Sequence, residues 1–190
     1  MNDNVRTLPA ARLRAINAAL VVAGTLLMAI GAHVSVNVPF SPVPITGQTL
    51  ALPLVVALLG TRRSVAAMFL YLAEGAMGLP VFAPSTLPGA IALIGPTAGY
   101  LWAFPIAAYV VGALFDLGLS QRFAGRAVSV FAGEVAVFAL GALWLAHFVG
   151  LDRAAALGIA PFVVGDTLKI AIAAAVGGSV SRALPALLRG

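Results

Sequence analysis

The sequence predicts an all-α integral membrane protein of six transmembrane helices. Both termini are cytoplasmic, and irregular extracytoplasmic loops cap a ligand pocket. Three observations predict this class. The 190 residues are 62% hydrophobic and 9% charged, with mean hydropathy +1.07, against about 45–50% apolar and about 25% charged in a soluble domain. One soluble core of this size cannot hide so much apolar surface, so the bilayer is the natural solvent. Apolar runs are separated by short polar or arginine-bearing breaks, with no composition shift marking a second domain, so residues 1–190 are read as one membrane domain. Finally, nine of the eleven basic residues fall on one side of a six-span arrangement; only Arg153 and Lys169 do not. Excess Arg and Lys marks the cytoplasmic side.

The segments follow in order. Residues 1–14 are polar, with Arg6, Arg12 and Arg14. The apolar run 15–33 is longer than a signal-peptide core and lacks a clear A-x-A site, so it is read as a retained first span. Its Ala15, Ala19 and Ala23 recur every fourth residue, joined by Gly24 and Gly31. Small residues at that spacing let another helix approach closely in lipid. The stretch 34–49, VSVNVPFSPVPITGQT, carries three prolines and a Val-Ser-Val-Asn-Val alternation. That pattern predicts extended structure rather than a continuous helix. The remaining spans are placed at 50–60, 64–79, 97–119 with a kink at Pro105, 127–149 and 160–184. Residues 80–96 are too broken by Pro and Gly to cross as one helix.

Depth then sorts the polar groups, at about 1.5 Å of rise per residue. Glu74, Tyr100, Asp166 and Lys169 fall in the outer half, and Gln48 with Thr49 begins helix two on the same side. Asp116 lies near the cytoplasm, where Arg122 or Arg126 is the expected partner. Glu134 sits near mid-depth and is a candidate partner for Lys169. Asp166 and Lys169, three residues apart, share one helix face. Each costs about 2.5–3.5 kcal/mol near the bilayer centre on the translocon scale, so the pair must be satisfied internally, wetted or presented to a ligand. Two readings stay open. A pocket built from Asp166, Lys169, Glu74, Tyr100 and Gln48 suits a small polar molecule with donors and acceptors. A self-satisfied Asp166–Lys169–Glu134 network would instead tie helices together.

Several classes are disfavoured. The basic residues are dispersed, without a nucleic-acid-binding arm. There is no cysteine, and His33 and His147 lack an HExxH context, so no metal site is expected. No G-x-S-x-G or carboxylate-rich motif points to an intramembrane enzyme. No G-x-x-x-x-G-K-[ST] is present, so active uptake draws energy from another polypeptide.

Four motifs in order, VPFSPVPITGQTL (38–50), GLPVFA (78–83), GPTAGY (95–100) and GDTLK (165–169), resemble the BioY family. These are the biotin-specific S-components of energy-coupling factor (ECF) transporters. Loop 83–94 is less glycine-rich than that pattern. The resemblance implies a non-enzymatic, multi-pass protein of the bacterial cytoplasmic (inner) membrane that binds biotin from outside and needs no cofactor. It further implies a transmembrane T-component and a pair of ABC-type ATPases as partners, with Ala15, Ala19 and Ala23 as the docking stripe. Asp166 and Lys169 map onto ligand-contacting positions. Asp166, together with Glu74, suits the ureido N–H groups, while Lys169 suits either the ureido oxygen or the valerate carboxylate. Tyr100, Trp102 or Phe82 would supply an apolar wall. The alternative reading is an autonomous proton-coupled carrier using Glu74, Glu134, Asp166 and Lys169.

Overall fold

The computed structural model describes residues 9–183, most of them in α-helices. Helix α1 spans Ala10–His33 and starts at Ala10 rather than Ala15. Pro9 precedes it with φ −51°, and Ala-Ala-Arg-Leu-Arg behind that proline are strong helix formers that extend the apolar run. Two-residue strands β1 (Ser35–Val36) and β2 (Ile45–Thr46) pair antiparallel, Ser35 opposite Thr46. This is the extended structure that the prolines and alternation of 34–49 predict. Helices α2 (Gln48–Leu59) and α3 (Thr61–Ala76) meet at Gly60, whose φ of 75° and ψ of 173° lie in a region essentially reserved for glycine. A 3₁₀ turn, Gly89–Leu93, interrupts the long connection to α4 (Ala98–Asp116). Helix α5 covers Phe123–Val149, and α7 covers Val163–Ala183. Arg6, Arg189 and the side chain of Arg182, expected on the cytoplasmic side, lie outside the described residues.

Between α5 and α7 stands a helix that the span assignment lacks, α6 (Leu151–Gly158). Gly150, at φ 84° and ψ 154°, turns the chain into it. Asp152 and Arg153 sit in its first turn rather than in an interfacial loop. Pro161 separates α6 from α7 because proline disfavours helical geometry in the residue before it. The two helices bend by 50° across this break.

Among the described residues, three helices, α1, α4 and α5, are long and apolar enough to cross a membrane, and α6 with α7 would make a bent fourth. Helix α2, at 12 residues, and α3, at 16, fall short of the roughly 20 that a span needs. Both are held against longer neighbours: α1 packs on α2 and α3, α3 on α4, α4 on α5, and α2 on α7. Met28, Val55, Met68, Tyr71, Val111 and Leu145 are fully buried at these contacts. Conversely, Leu26, Ile30, Phe69, Tyr109, Leu143 and Leu168 are exposed on the outer helix faces, a surface suited to lipid rather than water.

The small residues of α1 divide between two faces. Gly24 and Gly31 point inward: an added Cβ would meet Ala67 Cβ at 2.9 Å in the first case and Ala51 Cβ at 3.0 Å in the second. Ala15, Ala19 and Ala23 are exposed on the other side.

Toward the cytoplasmic end of the predicted topology, Asp116 accepts a 2.7 Å hydrogen bond from Thr61 Oγ1 at the start of α3. Arg126, expected as its partner, instead donates to the carbonyls of Ala174 (2.5 Å) and Ser120 (2.9 Å). It thus satisfies peptide oxygens of α7 and of the α4–α5 turn, a use that sequence proximity to Asp116 does not disclose.

Candidate functional site

At the opposite end, the β1–β2 segment and the α3–α4 connection cover a small, partly open cavity lined by Thr46, Gln48, Thr49, Tyr100, Asp166 and Lys169 among others. The covering segments are anchored. Ser41 Oγ donates to Leu157 O of α6 at 2.7 Å. Trp102 and Trp144 donate their indole N–H groups to Leu93 O (3.0 Å) and Gly95 O (2.9 Å).

The polar pole of the cavity is the Asp166–Lys169 pair in the first two turns of α7. Asp166 is 3% exposed. Its carboxylate suits the positive end of the α7 dipole, and its Oδ1 lies 2.5 Å from Lys169 Nζ. Two residues of the covering strand and of α2 complete the pair. Thr49 Oγ1 donates to Asp166 Oδ1 at 2.9 Å while accepting from Lys169 Nζ at 3.0 Å, and Lys169 Nζ donates to Thr46 O at 2.7 Å. Asp166 Oδ2 is buried without a hydrogen-bond partner among the described residues.

The other walls are apolar and aromatic. Phe138 stands edge-on to Tyr100 at 6.5 Å and tilted against Phe162 at 5.6 Å, and Phe104 and Val137 close the inner end. Tyr100 lines the cavity, but its hydroxyl donates to Gly158 O of α6 at 2.8 Å, so it presents ring rather than a free hydroxyl. Gln48 also lines it, buried, donating Nε2–H to Tyr71 OH at 2.8 Å and accepting from Thr46 Oγ1 at 3.2 Å. Tyr71 in turn donates to Val81 O at 3.0 Å, which ties α2 and α3 to the covering loop.

Of the predicted site residues, Asp166, Lys169, Tyr100 and Gln48 thus come together. Glu74 does not line the cavity; it accepts a 3.2 Å hydrogen bond from Thr25 of α1. Depth put it level with the others, but its position around α3 turns it toward α1. Phe82 packs edge-on to Tyr71 at 5.3 Å, and Trp102 is exposed, so neither supplies the cavity wall. Glu134 does not pair with Lys169. It is buried with Oε1 unpartnered among the described residues, beside Asp166 in a cleft between α5 and α7. Thr46, Phe104, Phe138 and Phe162 were not anticipated. Only Thr49 had a sequence signal, its place beside Gln48 at the start of α2.

Arranged this way, the site offers one buried acceptor against an aromatic wall, with the pair's charges mutually neutralised. It suits a small, partly apolar molecule that brings N–H donors. The sequence itself matches the BioY family over residues 3–186. The chain belongs to the BioY family.

Among BioY relatives, the biotin transporter BioY of Thermotoga maritima is 38% identical over 153 residues, covering 80% of this chain and 88% of that protein. The probable biotin transporter BioY of Pyrococcus horikoshii is 36% identical over 162 residues, covering 85% and 93%. Biotin transporter BioY2 of Lactococcus lactis is 36% identical over 169 residues, covering 83% and 90%. The fold is similar to the crystal structure of the S-component for biotin from an ECF-type ABC transporter, with TM-score 0.80 at 22% identity, covering 93% of this chain and 95% of that one. The two chains therefore share one overall fold.

Proposed function

We propose that this chain is the biotin-capturing S-component of an ECF-type transporter, taking the vitamin from the extracytoplasmic side of a bacterial cytoplasmic membrane. The observation that carries the reading is Asp166, buried with Oδ2 unpartnered among the described residues, in the lining of an aromatic-walled cavity. Biotin joins a cyclic urea, which supplies N–H donors, to an apolar sulfur ring that an aromatic wall accommodates. The names of the BioY relatives support the same ligand.

The chain crosses the membrane six times with both termini cytoplasmic, α2 and α3 serving as short spans. The α2–α3 turn with Arg62 and Arg63 and the α4–α5 turn with Arg122 and Arg126 face the cytoplasm. The cavity and its covering loops face outward. Uptake is energised by a transmembrane T-component and ATPase subunits, and the T-component docks on the exposed Ala15, Ala19 and Ala23 stripe of α1. Release of ligand inward requires that these partners favour a state that binds biotin less tightly.

Labelled biotin retained by the purified chain tests the proposal. Saturable binding that Asp166→Asn weakens about tenfold or more is expected, the scale of one charge-assisted hydrogen bond. Failure of the intact chain to bind biotin contradicts it.

A further inference from the structure

Helices α5 and α7 enclose a second space, outside the covered cavity. This cleft has a volume of about 500 Å³, within the range of small-molecule sites. Its rim is apolar: Phe131 and Val135 of α5 and Val163 of α7 are each half exposed or more, on the surface suited to lipid. Its polar groups are Glu134, Asp166 and Thr167. Thr167 Oγ1 donates to Val163 O at 2.7 Å within α7, and Asp166 is engaged through Oδ1 by Lys169 and Thr49. Glu134 differs from both. It is 7% exposed, and its Oε1 has no hydrogen-bond partner among the described residues. Lys169 spends its ammonium on Asp166, Thr46 and Thr49 rather than on Glu134.

Two acidic side chains thus line the cleft, and the ammonium beside them is already taken. A molecule entering it meets acceptors and negative charge, which repel a carboxylate and favour a cation that carries N–H donors. A cation in apolar surroundings is costly unless a counter-charge is in place, and Glu134 supplies one. Depth narrows the class. Glu134 stands eleven residues past Phe123, about 16 Å along α5 at 1.5 Å per residue. That is near the middle of a hydrocarbon core of about 30 Å, beyond a phospholipid headgroup held at the interface but within reach of a single-chain amine. We propose that the α5–α7 cleft is a binding site for a lipophilic primary amine. Its ammonium meets Glu134 Oε1, and its alkyl chain runs past Phe131, Val135 and Val163 toward the lipid. Glu134 does not line the covered cavity, so this site is separate from that one and stands whether or not the cavity takes biotin.

Radiolabelled decylamine, titrated against the full chain in lipid nanodiscs with empty nanodiscs subtracted, tests the proposal. The wild type is compared with Glu134→Gln and with Val135→Trp, whose indole would occupy the cleft. Saturable binding of about one amine per chain is expected. Glu134→Gln weakens it about tenfold or more, the scale of one charge-assisted hydrogen bond, and Val135→Trp abolishes it. Decyltrimethylammonium, which keeps the charge but has no N–H, and decanoate are expected to compete at least about tenfold less well than unlabelled decylamine. A signal no greater than that of empty nanodiscs overturns the proposal. Equal affinity in Glu134→Gln, or equal competition by either analogue, overturns it as well. If Glu134→Gln does not fold, Val135→Trp and the competitors decide, and undiminished binding to Val135→Trp counts against the cleft. Biotin retention is measured on the same samples: amine binding without biotin binding refutes the biotin reading alone, and biotin binding without amine binding refutes this inference alone.

Discussion

Asp166 carries the site because its two oxygens have different fates. One is held by Thr49 and Lys169; the other is buried without a partner among the described residues. Asp166→Asn keeps the shape but removes the charge that Lys169 neutralises, so the variant is expected to fold while losing ligand affinity. Glu134 is the contrasting case, a buried carboxyl with one unpartnered oxygen that does not line the cavity. A buried polar atom left unpaired costs about 1–3 kcal/mol. Glu134→Gln is therefore expected to raise the thermal unfolding midpoint in detergent while leaving biotin affinity within about twofold. A lowered midpoint would show that the carboxylate has a stabilising role in place. The Asp166–Lys169 pair was legible in sequence because a spacing of three on a helix fixes a shared face. Thr49 and Thr46 were harder to read, since their bonds to α7 span 117 to 123 positions of sequence. Glu74 shows the complementary failure: counting rise gives depth, but not the direction in which a side chain leaves its helix.

Helix α1 separates two uses of small residues that one sequence pattern presents together. Gly24 and Gly31 admit α3 and α2 at backbone-limited distances, whereas Ala15, Ala19 and Ala23 remain uncovered. Gly24→Leu places atoms where Ala67 Cβ and Leu59 Cδ1 already stand within 2.9 Å. It is expected to destabilise the monomer by about 1–3 kcal/mol, seen as a lower unfolding midpoint. Ala19→Trp is expected to leave that midpoint and biotin binding unchanged and to abolish co-purification with the T-component. Retained co-purification would remove the docking role from this face. Periodicity alone cannot make the distinction, because Gly24 sits one position from Ala23 and Gly31 falls in the same every-fourth register as the alanines. The α6 helix escaped the same kind of reading: its Asp152-Arg153 pair resembles an interface, and only the Gly150 turn and the Pro161 break make a separate helix of it.

The molecule as a whole is polarised along its helices. Arginine-bearing turns occupy one end; a two-stranded segment, a proline-rich connection and the cavity occupy the other. This polarity was legible from the arginines and the broken segments, because both follow from solvation: charge resists translocation, and irregular backbone cannot face lipid. The natural chain contains no cysteine, so single introduced thiols report sidedness directly. Gln121→Cys in the α4–α5 turn is expected to react with an impermeant maleimide only from the cytoplasmic side, and Asn37→Cys beside β1 only from outside. The reverse pattern would invert the topology and place the cavity on the wrong side for capture. Calorimetric titration of biotin into the purified chain tests the central claim most directly. Saturable one-to-one binding that falls about tenfold or more in Asp166→Asn is the predicted result. No binding by the wild type, or equal affinity in the two proteins, would contradict it.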